Sequence, residues 1–163
     1  MLFDGHSDIL YALERQRRSG ERDVFRRHYL QNFQRGKVEG GIFVLWGNPE
    51  EERAVQEQIL QQLQTVQAEV EAAQGAFQPI YDRADLLELD KRAETTDGVR
   101  FLLGVEGLDG CAQDIDAIEW LYAQGVRHVS LTWNGGNAFA AGINAVGGLT
   151  ALGRLAVRRI QEK

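Results

Sequence analysis

One histidine and two carboxylates are the side chains whose types and spacing can do chemistry in this sequence. His6 and Asp8 stand two residues apart near the start of the chain, and Glu106 lies between Gly104 and Gly107 directly after an apolar run. Imidazole nitrogen and carboxylate oxygen together suit zinc or another borderline divalent metal. Residues i and i+2 of an extended segment point to the same side, so the H-x-D spacing lets both side chains reach one ion. Each residue alone also fits an ordinary structural or surface role, and only the combination favours a metal site.

The apolar segments that must position these residues alternate between strand-like and helix-like periods. This alternation is typical of βα units and predicts an α/β fold. We count about four units in a single domain over residues 1–163, which is either a small open sheet or half of a TIM-type (β/α)8 barrel, that is, a half-barrel or truncated barrel. The predicted strands cover 1–5, 40–46, 99–105 and 126–132, and later helices cover 113–124 and 149–160 around a loop at 133–148.

A long amphipathic helix is predicted after the second strand. Asn48 can cap it and Pro49 suits its first turn, so the helix is expected to begin there. Its apolar residues recur at spacings of three and four and predict one buried stripe opposite a solvated face rich in Gln and Glu. The stripe consists of Val55, Ile59, Leu63, Val66, Val70 and Ala73.

In parallel α/β folds, functional residues gather at the carboxyl ends of the strands. Polar or aromatic side chains follow three of the four predicted strands: His6 and Asp8 the first, Glu106 the third, and Trp133, Asn134 and Asn137 the fourth. The coincidence favours one shared site over three unrelated surface features.

Composition excludes several classes of protein. The net charge of −6 argues against a general nucleic-acid surface. No apolar run approaches the roughly 20 residues of a membrane span, and the first residues show no secretory signal pattern, so we expect a cytoplasmic protein without membrane contact. The single cysteine, Cys111, excludes an internal disulfide and is interpreted as a packing residue.

Four ordered motifs resemble the membrane (renal) dipeptidase family of zinc peptidases. They are DGHSD at 4–8, GVEG at 104–107, LTWNGGN at 131–137 and GLTALGR at 148–154. The resemblance covers nearly the whole chain and corresponds to the amino-terminal half of a family barrel. It implies an amidohydrolase-type barrel that hydrolyses dipeptides at a binuclear zinc centre.

The resemblance also implies roles for individual residues. His6 and Asp8 would bind one zinc, and Glu106 would bridge both ions as the catalytic carboxylate, while a metal-bound hydroxide attacks the peptide carbonyl. Asn134 and Asn137 would lie in the substrate-binding loop. Trp133 stands where animal members carry a substrate-contacting histidine, and because its ring nitrogen cannot accept a hydrogen bond it is expected to be either an apolar pocket wall or a core residue.

The family supplies the remaining zinc ligands from strands beyond the fourth. The other two histidines, His28 and His128, do not fall at those positions and are interpreted as structural. This chain is therefore expected to ligate at most one zinc well. Exposed strand edges predict a homo-oligomer or association with a missing carboxyl-terminal half.

Two other functions remain open at this stage. One is another amidohydrolase-type reaction, on a lactone, a phosphoester or a deaminable base, although such relatives more often show H-x-H where this chain has Asp8. The other is a non-catalytic half-barrel that binds at most one metal or assembles with a partner.

Overall fold

Five parallel strands form the sheet of this chain. The computed structural model describes residues 2–92, 98–111 and 113–163, without the side chains of 88–92. The strands are β1 (Leu2–Ser7), β2 (Val38–Leu45), β3 (Phe77–Pro79), β4 (Val99–Glu106) and β5 (Val126–Ser130).

Four of the five strands lie side by side in the order in which they occur along the chain. β1 pairs with β2, and β2 pairs with β4 along six consecutive residues. The other edge of β4 is shared: β3 pairs with its first half, where Phe77 faces Val99, and β5 pairs with its second half, where Val129 faces Val105. Thus β1, β2, β4 and β5 lie side by side with their carboxyl ends on one edge, which confirms the prediction of an α/β fold built on about four parallel βα units.

The helices join successive strands as expected for βα connections. The helices are α1 (Ile9–Arg18), a π-helix (Phe25–Tyr29), α2 (Leu30–Gly36), α3 (Val55–Ala72), α4 (Arg83–Arg92), a 3-10 helix (Asp109–Cys111), α5 (Ala117–Ala123) and α6 (Ala151–Gln161). No prediction from the sequence covered α1, α2, α4, the π-helix, the 3-10 helix or the short strand β3. None of the helices within the described ranges is long and apolar enough to cross a membrane.

A cluster of phenylalanines forms the centre of the core. The ring centroid of Phe77 lies 4.2 Å from those of Phe25 and Phe101, and Phe43 lies 5.4 Å from Phe101. All four side chains are fully buried. Burying each contributes roughly 1.5–3 kcal/mol, so this core fixes β2 and β4 and with them the strand ends.

Several predicted boundaries differ from the structure. β1 extends past the predicted 1–5, so His6 lies inside the strand rather than after it, and position 1 lies outside the described residues. β5 ends at Ser130 instead of 132, and the oxygen of the next residue, Leu131, accepts a hydrogen bond from the nitrogen of Leu108 at 3.1 Å. The helices predicted at 113–124 and 149–160 are observed as α5 and α6.

The predicted start of the long helix at Asn48 and Pro49 is wrong, because α3 begins at Val55. Asn48 instead closes a turn, in which its Oδ1 accepts from the main-chain nitrogen of Glu50 at 3.0 Å. Its main chain is also held by Gln58 of α3, with Asn48 N to Gln58 Oε1 at 2.9 Å. This contact draws the segment across the first turn of α3 instead of extending the helix.

The predicted apolar stripe of α3 is confirmed at Ile59, Leu63 and Val66, which are buried. The prediction of a solvated Gln/Glu face is wrong for three positions. Gln58, Gln62 and Glu69 are only 1%, 1% and 0% exposed. The helix is covered by α1 and by the segment after β2 as well as by the sheet, so part of its polar side is interior.

Candidate metal centre

A bulge in β1 positions His6. Asp4 pairs with Gly41 of β2 and Ser7 pairs with Phe43, so β1 uses three residues where β2 uses two. Such an extra residue turns the local side chains relative to the sheet. The bulge places the His6 ring next to the end of β4, where its Nε2 lies 3.5 Å from Oε2 of Glu106.

Asp8 approaches the same point from the start of α1. It occupies the N-cap position, with φ −84° and ψ 14°, and its side chain caps no main-chain N–H. Its Oδ1 lies 3.6 Å from His6 Nε2. The pair therefore converges across the turn from strand to helix and not along an extended segment, which differs from the geometry inferred from the H-x-D spacing.

Glu106 ends β4, and the turn after it depends on Gly107. This glycine has φ +81°, and its nitrogen donates to the main-chain oxygen and Oγ of Ser130 at 3.2 and 3.1 Å. A Cβ added here would lie 2.6 Å from Oδ2 of Asp109 and 3.2 Å from the nitrogen of Trp133. Glycine thus permits the close approach of the loops that follow β4 and β5.

The three side chains form a group whose spacing fits a metal ion. One ligand atom from each of His6, Asp8 and Glu106 lies within 4.8 Å of the others. Separations of 3.5 and 3.6 Å are too long for strong hydrogen bonds. With bonds of roughly 2.0–2.1 Å to a tetrahedral zinc, neighbouring ligand atoms stand about 3.3 Å apart. The donor set and two of its spacings therefore suit a divalent ion of this kind.

Trp133 lies in the loop after β5, with its main chain close to Gly107, and is 39% exposed. Its ring centroid is 5.3 Å from that of Trp46, which in turn lies 4.6 Å from the ring of Tyr11. We call Tyr11, Trp46 and Trp133 the aromatic stack. Because Trp133 packs on Trp46 but is 39% exposed, the expectation of a core residue fits it only in part, and its role as a pocket wall stays a prediction.

The two asparagines of the same loop differ in their surroundings. The side-chain nitrogen of Asn137 donates to Asp109 Oδ2 and to the oxygen of Leu131, at 3.3 and 2.7 Å. Its Oδ1 accepts from the nitrogens of Phe139 and Ala140, at 2.9 and 3.2 Å. These four bonds use the full capacity of the amide. A substrate contact by Asn137 would require one of them to be given up.

Asn134 has an exposed side chain at the open side of the loop, and its main-chain oxygen accepts from Asn144 at 2.9 Å. Substrate binding by Asn134 stays a prediction. Of the remaining histidines, His28 lies at the surface with its Nε2 2.7 Å from Glu21. His128 lies against Gly104 on the sheet face opposite the phenylalanine core, and its buried Nδ1 has no hydrogen-bond partner among the described residues.

Two members of the aromatic stack were not predicted from the sequence. Trp46 directly follows β2, but the predicted strand 40–46 contained it, so only the observed end of the strand at Leu45 brings it under the strand-end rule. Tyr11 carried no such signal, because its partners are distant in sequence. Its hydroxyl donates to Glu51, and this hydrogen bond lowers the pKa of Glu51 and raises that of Tyr11.

Comparison with known proteins assigns the chain to a family. Residues 1–162 match the family model of membrane dipeptidases, peptidase family M19. The chain belongs to this family. This confirms the resemblance inferred from the four motifs. Among curated proteins, none matches the sequence.

Solved structures of similar fold include two metallopeptidases. A dipeptidase of family M19 superposes with a TM-score of 0.84 at 19% identity, over 99% of this chain and 55% of its own. A metallopeptidase from Rhodobacter sphaeroides, liganded with a phosphinate mimic of the dipeptide L-Ala-D-Ala, superposes with a TM-score of 0.83 at 20% identity, over 99% and 56%. The chain thus spans about half the length of these family members, which is consistent with a partial TIM-type barrel.

Proposed function

We propose that this chain takes part in zinc-dependent hydrolysis of dipeptides, with His6, Asp8 and Glu106 as ligands of the metal. The observation that carries the proposal is the convergence of these three side chains at the carboxyl ends of β1 and β4. Membership of the dipeptidase family supports the reaction class. The phosphinate dipeptide mimic bound by the Rhodobacter sphaeroides relative supports dipeptides as the substrate.

A bound divalent ion would supply a Lewis acid for the peptide carbonyl and would lower the pKa of a coordinated water. The chain's own residues hold and orient the reactants. His6 offers a neutral nitrogen, and Asp8 and Glu106 offer two negative charges that balance a dication. Glu106 has two carboxylate oxygens, so it can serve as the bridging and catalytic residue of a two-metal centre.

Within the described residues, no further His, Cys, Asp or Glu joins this group. Three ligands suffice for one catalytic zinc that keeps an open position. A second ion would share Glu106 and would require ligands from elsewhere. We therefore propose that this chain alone ligates at most one zinc well.

The edges of the sheet support a proposal about assembly. Among the described strands, β1 pairs only with β2, and β5 pairs only with β4. Unpaired parallel edges favour association with further strands. We propose that a second copy of the chain, or the second half of a family barrel, covers them. Light scattering at micromolar concentration should give a mass above that of a monomer, and a monomer would contradict self-association.

Metal analysis and a dipeptide assay test the proposed function. The purified chain should contain zinc, and it should release amino acids from a panel of L-L and L-D dipeptides in a zinc-dependent reaction. His6→Ala and Glu106→Ala should lose bound metal and turnover while the circular dichroism spectrum is retained. His28→Ala is the matched control, because that histidine is exposed and pairs with Glu21 away from the site.

The outcomes separate the alternatives. Absence of both metal and turnover in the purified chain would contradict the proposal for this polypeptide. Bound metal with turnover of lactones, phosphoesters or deaminable bases but not of dipeptides would indicate another amidohydrolase-type reaction. Bound metal without any turnover would favour a non-catalytic half-barrel.

A further inference from the structure

Two glutamines of α3 are buried although their side chains are polar. Gln58 and Gln62 lie one helical turn apart and are each 1% exposed. A buried amide is costly unless its donors and acceptor are paired. Both amides are paired with the main chain of the segment that follows β2, so α3 holds this segment with two side chains.

Gln62 holds the main chain of Trp46. Its Oε1 accepts from the Trp46 nitrogen at 3.3 Å, and its Nε2 donates to the Trp46 oxygen at 2.6 Å. Trp46 is the first residue beyond β2, where the strand ladder has ended. One side-chain amide therefore supplies the two hydrogen bonds that a neighbouring strand would supply.

Gln58 makes contacts of the same kind with different residues. Its Oε1 accepts from the nitrogen of Asn48, and its Nε2 donates to the oxygens of Asn48 and Arg53, at 2.9, 2.9 and 2.8 Å. It therefore makes three main-chain hydrogen bonds, against two for Gln62, and touches no member of the aromatic stack through them. The two glutamines form a natural pair for comparison.

Trp46 is the central ring of the aromatic stack. It lies between Tyr11, which follows Asp8 by three residues, and Trp133, whose main-chain nitrogen lies close to Gly107. Both ends of the stack thus lie next to residues adjoining the metal ligands. Trp46 is thus the ring against which one side of Trp133 packs.

We propose that Gln62 is a positioning residue of the dipeptide site, which acts by fixing Trp46 and through it the ring of Trp133, whose main chain lies close to Gly107, the residue after Glu106. The expected effect of Gln62 on substrate binding rests on the proposed function. Its expected effect on the position of Trp46 does not. The Trp133 face offers an apolar and π surface to a side chain of the bound dipeptide. Such a contact exists before and during the reaction, so its loss weakens binding without slowing the chemical step.

The structural test uses the interaction between the two indole rings. Two indole rings 5.3 Å apart and tilted by 38°, as Trp46 and Trp133 are, give an exciton couplet in the circular dichroism spectrum, and a Trp120→Phe background removes the remaining tryptophan. We expect Gln62→Met to lose most of this couplet and Gln58→Met to keep it, although Gln58→Met breaks more hydrogen bonds. Both variants should retain the helical signal.

Two results would overturn the proposal: an unchanged couplet in folded Gln62→Met, or an equal loss in Gln58→Met. If Gln62→Met does not fold, Gln62→Glu takes its place, because it keeps an acceptor for the Trp46 nitrogen but loses the donor to its oxygen. The couplet should then decrease in Gln62→Glu and not in Gln58→Glu, and equal couplets in the two would count against the positioning role.

The catalytic test measures steady-state kinetics with dipeptides that carry apolar side chains. Gln62→Met should raise KM about fivefold while kcat changes less than about twofold, the pattern of an interaction shared by ground and transition states. Gln58→Met should leave both constants within about twofold of the parent. A fall in kcat at constant KM would contradict the proposal. If the parent chain hydrolyses no dipeptide, the proposed function fails, while the couplet still tests whether Gln62 fixes the stack.

Discussion

Two groups of polar residues in this molecule have opposite environments. The metal group, His6, Asp8 and Glu106, has side chains 45%, 60% and 22% exposed, with separations too long for strong hydrogen bonds. The polar residues of α3, Gln58, Gln62 and Glu69, are almost completely buried. The two groups contain residues of similar chemistry, and they differ in how many hydrogen bonds and ion pairs their side chains make.

Glu69 shows what a polar residue of the interior requires. Its Oε1 accepts from Arg17 Nη1 at 2.5 Å, and its Oε2 accepts from the main-chain nitrogen of Phe25 at 2.8 Å. Both oxygens are satisfied and the charge is paired, as burial demands. The carboxylates of Asp8 and Glu106 have no comparable contacts among the described residues beyond His6. Interior polar groups stabilise the fold, whereas those at the strand ends remain available to a ligand.

The largest loss of stability is expected for a substitution in the interior group. Glu69→Ala leaves the Arg17 guanidinium without its partner and the Phe25 nitrogen without an acceptor. We expect a loss of about 3–5 kcal/mol in the free energy of unfolding, measured by urea denaturation. Glu71→Ala is the matched control, because Glu71 is exposed on the same helix and should cost less than about 0.5 kcal/mol. If both variants lost the same free energy of unfolding, the buried contacts of Glu69 would not contribute more to stability than an exposed glutamate does.

The sequence predicted the convergence of His6, Asp8 and Glu106 better than it predicted the burial of the interior group. His6, Asp8 and Glu106 could be found because residue type, local spacing and the strand-end rule all pointed to them. The burial of Gln58 and Glu69 could not be found by helical periodicity. The partners of Glu69, Arg17 and Phe25, are dozens of residues away. Those of Gln58 are close in sequence but lie in an irregular segment outside the helix, and α3 is packed on more than one side.

The same reasoning explains the errors in local structure. Asn48 and Pro49 carry a good helix-start pattern, but Gln58 holds the main chain of Asn48 and a local pattern contains no information about that contact. β3 has only three residues and shares the edge of β4 with β5, so its sequence gave little signal. The strands of the core, with long apolar runs, were predicted to within a few residues.

Gly107→Ala tests the turn that follows Glu106 at the end of β4. The added Cβ would meet Asp109 and Trp133, and the residue would have to keep φ +81°. We expect the free energy of unfolding, measured by thermal or urea denaturation, to fall by about 1–3 kcal/mol, which is less than for Glu69→Ala. Gly135→Ala should be nearly neutral, because a Cβ there meets nothing within 4 Å. A neutral Gly107→Ala would show that the turn after Glu106 is not tightly constrained.

Glu51 is about as exposed as Glu106 but has strong hydrogen bonds, and it gives a prediction for pH. Its hydrogen bonds with Tyr11 and Arg53 hold its pKa below the ordinary value of 4.5. The stabilisation is therefore fully present above pH 4.5 and is lost as pH falls through the lowered pKa. Below pH 4.5 the melting temperature of the parent should fall more steeply with pH than that of Glu51→Gln, because the glutamine has no carboxylate to protonate.

At neutral pH the cost of Glu51→Gln should be modest. The side chain is 23% exposed, and pairs of this kind contribute about 0.2–1 kcal/mol. Parallel pH curves for the parent and Glu51→Gln would show that this carboxylate does not link the segment after β2 to α1.

The smallest expected effect belongs to the metal group itself. In the presence of a chelator, His6→Ala should change the free energy of unfolding by less than about 0.5 kcal/mol, because the ring is half exposed and no described residue depends on it for a strong hydrogen bond. Zinc should then raise the melting temperature of the parent and not of His6→Ala, since a ligand stabilises only the state that binds it. A large loss of stability in the chelated variant would make His6 a structural residue. A small loss, with the zinc response abolished, would show that His6 binds the metal and contributes little to folding, in contrast to Glu69.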